Sequence, residues 1–236
     1  MNEHTLKFFG EELAQIKAEV ARLGGMAEAQ LADCIDAVAR RDVGLAQAVV
    51  GRDERVDILQ REIEKKVIRL IALRQPVAQD LRRAVGALKM SLSLERTGDM
   101  AKNIAKRGLI IAQAEPILPL TRSIERMGRL VCSRLKEALD AYTSGDIDRA
   151  RRIWTTDDEV DEHYDSLFRE LLTYMMGDPR TIGACAHLLF IAKNLERVGD
   201  HATSIAEIVH YEITGEEIEG ERPKWSSAGL PSPPEA

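Results

Sequence analysis

The sequence predicts an all-α protein built from two tandem, pseudo-symmetric three-helix bundles with six long helices. Three observations predict this architecture: prolines and turn residues divide the chain into six long segments, apolar residues recur in them at helical spacing, and one motif occurs twice. No segment shows the sustained polar–apolar alternation of a half-buried strand. Aromatic residues make up 4% of the chain, which is low for a β-sandwich or barrel.

The helix boundaries follow from residues that interrupt or cap a helix. Four prolines separate long proline-free stretches: Pro76, Pro116, Pro119 and Pro179. Two further turns, at 41–44 and 143–146, carry a turn or capping residue ahead of a helical pattern. The predicted helices are 5–40, 43–73, 77–113, 118–143, 146–176 and 180–213. Helices this long pack lengthwise as bundles.

The apolar spacing is clearest in the third predicted helix. Leu81, Val85, Leu88 and Leu92 follow one another at steps of four, three and four residues. This spacing indicates a seam of about 3.5 residues per repeat, which faces another helix.

A twelve-residue motif indicates that the chain arose by duplication. Leu94–Ala105 and Leu195–Ala206 are identical at eight of twelve positions and lie 101 residues apart. Upstream, the segment 53–57 (Asp-Glu-Arg-Val-Asp) corresponds to the segment 157–161 (Asp-Asp-Glu-Val-Asp). Each half is therefore predicted to be one three-helix unit.

The duplication also predicts the domain boundaries. We assign 1–115 to the first three-helix repeat and 116–214 to the second. The distance between the two parts of the motif is 38 residues in the first half and 35 in the second, which indicates a short insertion at the loop of the first. The segment 215–236 has no apolar stripe and is predicted to be a disordered tail.

Composition excludes several classes of protein. The formal charge of −6, from 33 Lys+Arg and 39 Asp+Glu, argues against nonspecific nucleic-acid binding. No apolar stretch is long enough to span a membrane. The N-terminus lacks the apolar core of a signal peptide, so we expect a cytoplasmic protein. Its three cysteines form no C-x-x-C pair and are predicted to be free thiols.

Each half carries two acid-x-x-x-acid pairs, which are the candidate metal ligands. The first half has Asp53, Asp57, Glu95 and Asp99, and the second half has Asp157, Asp161, Glu196 and Asp200. Four-residue spacing places both carboxylates of a pair on one helix face. The seam of the third helix continues to its acid pair, so these acids face a neighbouring helix. If the second and third helices are antiparallel, four carboxylates converge and either take up protons or bind a cation.

Carboxylate ligands favour hard cations: magnesium, calcium, manganese or iron. Zinc is disfavoured because no Cys/His set has ligand spacing. The competing interpretation is a solvated acidic face that is neutralised by neighbouring arginines, namely Arg52, Arg55, Arg96 and Arg197.

Catalytic motifs are missing from the sequence. A ferritin-like di-iron site needs two Glu-x-x-His motifs, and only Glu207–His210 fits. His163 and His201 lack counterparts in the first half and are interpreted as surface or packing residues. Arg82 and Arg83 lie at the start of the third predicted helix, where they could bind an anion or a partner. The preferred interpretation is that they only solvate this helix end. We predict no catalytic residue and no enzyme.

The segment 74–82, the segment 94–99 with Asn103, and the segment 195–202 resemble the PhoU family of phosphate-signalling regulators. The resemblance spans roughly residues 5–214. It implies a cytoplasmic, non-catalytic negative regulator of phosphate uptake and phosphate-starvation signalling. The partners it implies are the phosphate ABC transporter, through its ATPase subunit PstB, and the sensor histidine kinase PhoR. It also implies a homodimer that contacts the membrane only through these complexes.

The resemblance adds a cofactor to these expectations. Some members carry multinuclear iron or other metal clusters on their acid-x-x-x-acid motifs, which here are the eight acids named above. We therefore expect iron, or Mg, Mn, Zn or Ca ions, and no organic cofactor. Two alternatives stay open: a metal-dependent hydrolase or oxidase that uses these clusters, and a purely structural helical scaffold.

Overall fold

The computed structural model describes residues 3–115 and 118–220, and this part of the chain contains helices and no strand. The helices are α1 (Glu3–Arg40), α2 (Val43–Arg74), α3 (Ala78–Ile111), α4 (Leu118–Ser144), α5 (Ile147–Thr155), α6 (Asp158–Gly177) and α7 (Ile182–Thr214), with a 3₁₀ turn at Pro179–Thr181. The predicted all-α class and the long helices are confirmed.

Two of the predicted boundaries are fixed by aspartate caps. The Asp42 carboxylate accepts a hydrogen bond from the backbone N–H of Leu45, and the Asp146 carboxylate accepts one from that of Arg149. Each cap satisfies a backbone donor that has no partner within its helix. The sequence therefore placed the starts of α2 and α5 within a residue.

The fifth predicted helix differs from the prediction, because it is divided between α5 and α6. Arg134 of α4 reaches this break, where its guanidinium donates to the backbone carbonyl of Thr156 at 3.0 Å and also binds the Glu159 carboxylate. The break is thus stabilised by a side chain 22 residues away. Local sequence spacing does not reveal such a contact.

The helices pack as two bundles, α1–α3 and α4–α7, which agrees with the predicted pair of three-helix units. The bundles join where α3 packs against α7 and α1 packs against α4. The predicted boundary between the repeats adjoins residues 116–117, which lie outside the described residues. The predicted tail lies outside them from residue 221 onward.

The contacts between α3 and α7 indicate a pseudo-two-fold relation between the bundles. Near the start of α3, a Cβ added to Gly86 would lie 3.5 Å from Ile208 of α7. Near the end of α3, the Arg107 guanidinium lies 3.2 Å from the ring of His187 of α7. His187 follows Gly86 by 101 residues, and Ile208 follows Arg107 by the same 101. The two contacts are therefore equivalents under the repeat, and the helices are antiparallel.

The α1–α4 contact shows the same reciprocity. Gly24 lies beneath Leu139, and Gly128 lies beneath Ile35. Gly128 follows Gly24 by 104 residues, and Leu139 follows Ile35 by the same 104. A glycine on each helix thus accepts an aliphatic side chain of the other, which lets the two backbones approach closely.

Substitution of Gly128 tests this close approach. A Cβ at this position would meet three atoms of Ile35 at 2.8–2.9 Å. We expect Gly128→Ala to lower the free energy of unfolding by about 1–3 kcal/mol, as overpacking does, measured by urea denaturation. Gly25→Ala is the matched control, because no atom lies within 4 Å of its added Cβ. It should stabilise the helix by up to about 1 kcal/mol. Equal effects of the two changes would contradict the close contact.

Candidate functional site

The structure places the predicted acids on facing helices of each bundle. Asp53 and Asp57 lie on α2 opposite Glu95 and Asp99 on α3. In the second bundle, Asp157 immediately precedes α6, Asp161 lies in its first turn, and Glu196 and Asp200 lie on α7. Asp53 and Asp157 are buried, and the other six acids are half-buried. Burial is therefore the same at equivalent positions of the two repeats.

A glycine in each copy of the motif lets the facing helices approach closely. A Cβ added to Gly98 would lie 3.2 Å from Val56 Cγ1 and 3.0 Å from Gln30 Oε1. Its equivalent, Gly199, would meet Val160 Cγ1 at 3.1 Å. Since Val56 and Val160 each lie between the two acids of a pair, these contacts bring the carboxylate-bearing faces together.

Lys102 lies in the middle of the first cluster, which we define as Asp53, Asp57, Glu95 and Asp99. Its ammonium donates to the Asp53 carboxylate and, at 2.5 Å, to Asp99 Oδ1. Partial burial by itself lowers the pKa of Lys102, but the hydrogen bonds with these two carboxylates outweigh it and raise the pKa well above its usual range. Lys102 is therefore a cation that bridges α2 and α3.

The other two acids of the first cluster, Asp57 and Glu95, lie close to further negative charges. Burial raises the pKa of Asp57, and the charges of Asp53 and Asp99 raise it further. Burial likewise raises the pKa of Glu95, followed by the charges of Asp99 and Asp57. Asp57 therefore interacts with the charge of Asp99 on the facing helix, and Glu95 interacts with both acids of the α2 pair.

The second cluster, Asp157, Asp161, Glu196 and Asp200, has different polar partners. The hydroxyl of Thr203 donates to the Asp157 carboxylate at 2.5 Å. Lys193 donates to Glu196 at 2.7 Å, and its ammonium lies 5.3 Å from the centre of the Tyr164 ring. Thr203 occupies the position that is equivalent to Lys102, 101 residues earlier.

The donor set of both clusters suits a hard cation, because it consists of carboxylate oxygens. Asp53 Oδ1 also lies buried without a hydrogen-bond partner, which a cation would satisfy. Within the described side chains, however, no three Asp, Glu, His or Cys groups converge at distances that could hold a metal ion. Metal binding at either cluster therefore requires side chains to change rotamer.

Two lysines and a threonine were missed by the sequence analysis, which searched for acids and their arginine neighbours. Arg52 pairs instead with Asp33, at 2.7 Å. The sequence signal for these residues is the difference between the repeats at equivalent positions, since Lys102 corresponds to Thr203 and Leu92 corresponds to Lys193.

The remaining candidates have structural partners. Glu207 accepts a hydrogen bond from the Trp154 indole at 3.1 Å, and the ring of His210 lies 3.0 Å from the Glu216 carbonyl oxygen. Arg83 pairs with Asp80 at 3.8 Å, as the preferred interpretation of the α3 start expects. Arg82 departs from that interpretation, because a Cβ added to Gly215 would lie 3.1 Å from its guanidinium and its Nε is buried without a hydrogen-bond partner. Burial, followed by the charge of Arg96, lowers the pKa of His201.

The fold and the site define a class of protein: all-helical, internally duplicated, with paired carboxylates on facing helices of both repeats. The family model for the PhoU domain matches residues 20–108 and 124–209. The chain belongs to the PhoU family.

Similar proteins agree with this assignment. The chain is 69% identical over 224 residues to the phosphate-specific transport system accessory protein PhoU homolog of Caulobacter vibrioides, which covers 95% of this chain and 97% of the relative. It is 38% identical over 220 residues to the Escherichia coli protein of that system, with 92% of this chain and 90% of the relative covered. These relatives are named accessory proteins.

A solved structure shows the same fold. The crystal structure of PhoU from Pseudomonas aeruginosa matches with a TM-score of 0.83 at 36% identity, covering 88% of this chain and all (100%) of the other. The phosphate transport system regulatory protein PhoU from Streptococcus pneumoniae matches with a TM-score of 0.81 at 28% identity, covering 89% and 99%. Among the described helices, none is long and apolar enough to cross a membrane.

Removal of one charge tests the electrostatic coupling across the first cluster. In Asp53→Asn, we expect the pKa of Asp57 and that of Glu95 to fall, because the charge of Asp53 raises both. Both values should stay above the usual range, because burial, the larger cause, remains. Carbon-detected NMR titration of the carboxyl groups measures these values. Asp157→Asn, the equivalent change in the second cluster, should leave them unchanged, and unaltered values in Asp53→Asn would refute the coupling.

Proposed function

We propose that the protein is a cytoplasmic negative regulator of phosphate uptake and phosphate-starvation signalling. In this role it is a non-catalytic adaptor between the phosphate ABC transporter, through its ATPase subunit PstB, and a PhoR-type sensor histidine kinase. The observation that carries the proposal is the similarity to named accessory proteins along more than nine-tenths of both chains. The fold supports it, since rigid packed helices present constant surfaces for protein contacts.

The exposed apolar residues of α6 suit a contact with another protein. Phe168, Leu172 and Met176 recur at four-residue spacing on one face of this helix and are exposed. The equivalent residues of α2, 104 positions earlier, are Glu64, Ile68 and Ala72. We include a homodimer in the proposal, because an apolar stripe of this kind favours association.

We further propose that the two acidic clusters bind a divalent cation such as iron(II), manganese or magnesium. The four carboxylates of a cluster would hold the ion, with Asp53 or Asp157 as the buried ligand and the other three acids at its rim. Such an ion would neutralise the repulsion that raises the pKa of Asp57 and Glu95. It would also connect α2 with α3, or α6 with α7, and so fix the shape of the surface that partners contact.

The regulatory role is tested in cells that lack the gene. We expect a promoter of the phosphate regulon to be active in these cells at high phosphate, and the intact protein to silence it. If the cation fixes the contact surface, the double variant Asp99→Ala/Asp200→Ala should not restore silencing. The control is Asp36→Ala on α1, which removes an exposed acid whose ion pair among the described residues is with Arg40.

Three outcomes would contradict these proposals separately. If the phosphate-regulon promoter stays silent at high phosphate in cells that lack the gene, the regulatory role is wrong. The double variant could silence the promoter fully although calorimetry shows that it no longer binds manganese. This result would support the regulatory role and refute the role of the cation in it. Turnover of a phosphate ester that depends on Asp99 and Asp200 would favour a metal-dependent enzyme instead.

A further inference from the structure

We propose that the exposed face of α6 in one copy of this chain docks in the groove between α1 and α2 of a second copy. In this contact the Asp165 carboxylate of one copy binds Arg55 and Gln30 of the other. The proposal rests on the homodimer proposed above, and it names the two surfaces that meet.

The groove between α1 and α2 has a volume of about 540 Å³ and combines a basic end with an apolar middle. Its lining includes Met26, Gln30, Arg52, Arg55, Ile58 and Leu59. The ion pair between Asp33 of α1 and Arg52 of α2 sets the antiparallel register of the two helices. One turn further along α2, this register places Gln30 opposite Arg55. Glu62, the acid of the lining, lies two turns beyond Arg55 and away from the basic end.

Gln30 is a buried amide that the first bundle leaves unsatisfied. It is 3% exposed, and within the described part of the chain neither Nε2 nor Oε1 has a hydrogen-bond partner. Because buried polar groups are nearly always hydrogen-bonded, this amide indicates a missing partner. Arg55 is exposed and forms no ion pair with any described residue. A carboxylate placed between the two side chains would accept hydrogen bonds from both.

The second repeat shows which group belongs at this place. The equivalents of Gln30 and Arg55, 104 positions later, are Arg134 and Glu159, and these two side chains form an ion pair. The second repeat thus supplies the carboxylate from its own chain. In the first repeat both equivalent residues are hydrogen-bond donors, so the carboxylate has to come from another molecule.

The exposed face of α6 carries carboxylates at the spacing that the groove requires. Asp165 precedes Phe168 by three residues, as Arg55 precedes Ile58 on α2. Phe168 and Ile58 are both exposed apolar side chains. Glu162, one turn before Asp165, adds a second acid toward the basic end of the groove. A parallel pairing of α6 with α2 therefore brings acid to base and apolar surface to apolar surface at the same time.

The repeat structure of the chain suits a closed dimer. The helices α2 and α6 belong to equivalent parts of the two repeats, and the bundles show a pseudo-two-fold relation. In a two-fold dimer, each copy offers its α6 to the groove of the other and its own groove to the α6 of the other. The contact is then formed twice, and both grooves are filled.

Exchange of charge across the contact provides the test. Arg55→Glu and Asp165→Arg each bring like charges together, whereas the double variant Arg55→Glu/Asp165→Arg restores opposite charges. Arg61→Glu is the matched control, because this arginine is exposed on α2 outside the groove lining. Gln30→Met removes the amide at similar volume. Glu162→Arg, at an exposed position, reports on the same contact if Asp165→Arg fails to fold.

Dimerisation of the full chain is measured by sedimentation equilibrium, and circular dichroism checks that each variant is folded. We expect either single reversal to weaken dimerisation about tenfold or more, because like charges then meet in both contacts. The double variant should regain most of the wild-type affinity, and Arg61→Glu should dimerise like the wild type. Gln30→Met should weaken dimerisation about tenfold through loss of a hydrogen bond to a charged group.

The contact and the homodimer fail in different ways. If Arg55→Glu and Arg61→Glu dimerise alike, or if the double variant does not regain affinity, the contact is wrong while the homodimer stands. If Gln30→Met dimerises like the wild type, the role of Gln30 is wrong. A chain that stays monomeric at every concentration would overturn both. If the monomer bound the purified transporter ATPase or histidine kinase and lost this binding in Arg55→Glu, the groove would belong to an acidic segment of that partner instead.

Discussion

Burial of a carboxylate between two helices is the constraint around which each repeat is organised. Asp53 and Asp157 are among the few buried charged residues, and each lies where a valine one turn later packs against the glycine of the motif. A close helix contact and a buried charge are thus parts of the same arrangement. Because an uncompensated buried charge is costly, the facing helix must supply a partner. It supplies Lys102 in the first repeat and Thr203 in the second.

The same physical requirement explains how the duplicated halves diverged. The apolar contacts between the bundles keep their reciprocity, as the Gly24–Leu139 and Gly128–Ile35 contacts show. Packing tolerates little change in volume, so equivalent positions at these contacts stay small or aliphatic. The acidic clusters tolerate more, because a carboxylate can be satisfied by an ammonium, a hydroxyl or a bound cation. The halves differ chemically at the acidic clusters and also at the α3–α7 contact, where Gly86–Ile208 is equivalent to Arg107–His187.

In the first cluster, the half-buried acids interact with negative charges on both helices. Asp57 and Glu95 each sense charges on the opposite helix as well as on their own, and their pKa values rise together. The first cluster thus holds like charges of two helices close together.

The sequence by itself determined the helical class, the duplication and the positions of the acids. These features are encoded locally: proline and capping aspartates set helix ends such as Asp42 and Asp146, and four-residue spacing places paired acids on one face. The expected insertion at the loop is wrong, because the connection between α2 and α3 (75–77) is shorter than that between α6 and α7 (178–181), and the extra residues of the first repeat lengthen its helices. Helix geometry fixes which residues share a face but not which face is buried. The predicted seam of the third helix is wrong, because Leu81 and Leu92 are exposed whereas α3 buries the face with Ala84, Ala87 and Met90.

Only the tertiary structure decided which groups compensate those acids. The break at Thr156 depends on Arg134 of α4, and the partner of Asp53 is Lys102, 49 residues further along the chain. Both interactions arise between helices, where the relative rotation and separation of two elements choose the contact. The arginines beside the acids were the nearest cations in the sequence, yet Arg52 pairs with Asp33. Proximity along a helix does not determine proximity across an interface, because a side chain finds its partner only after the helices have packed.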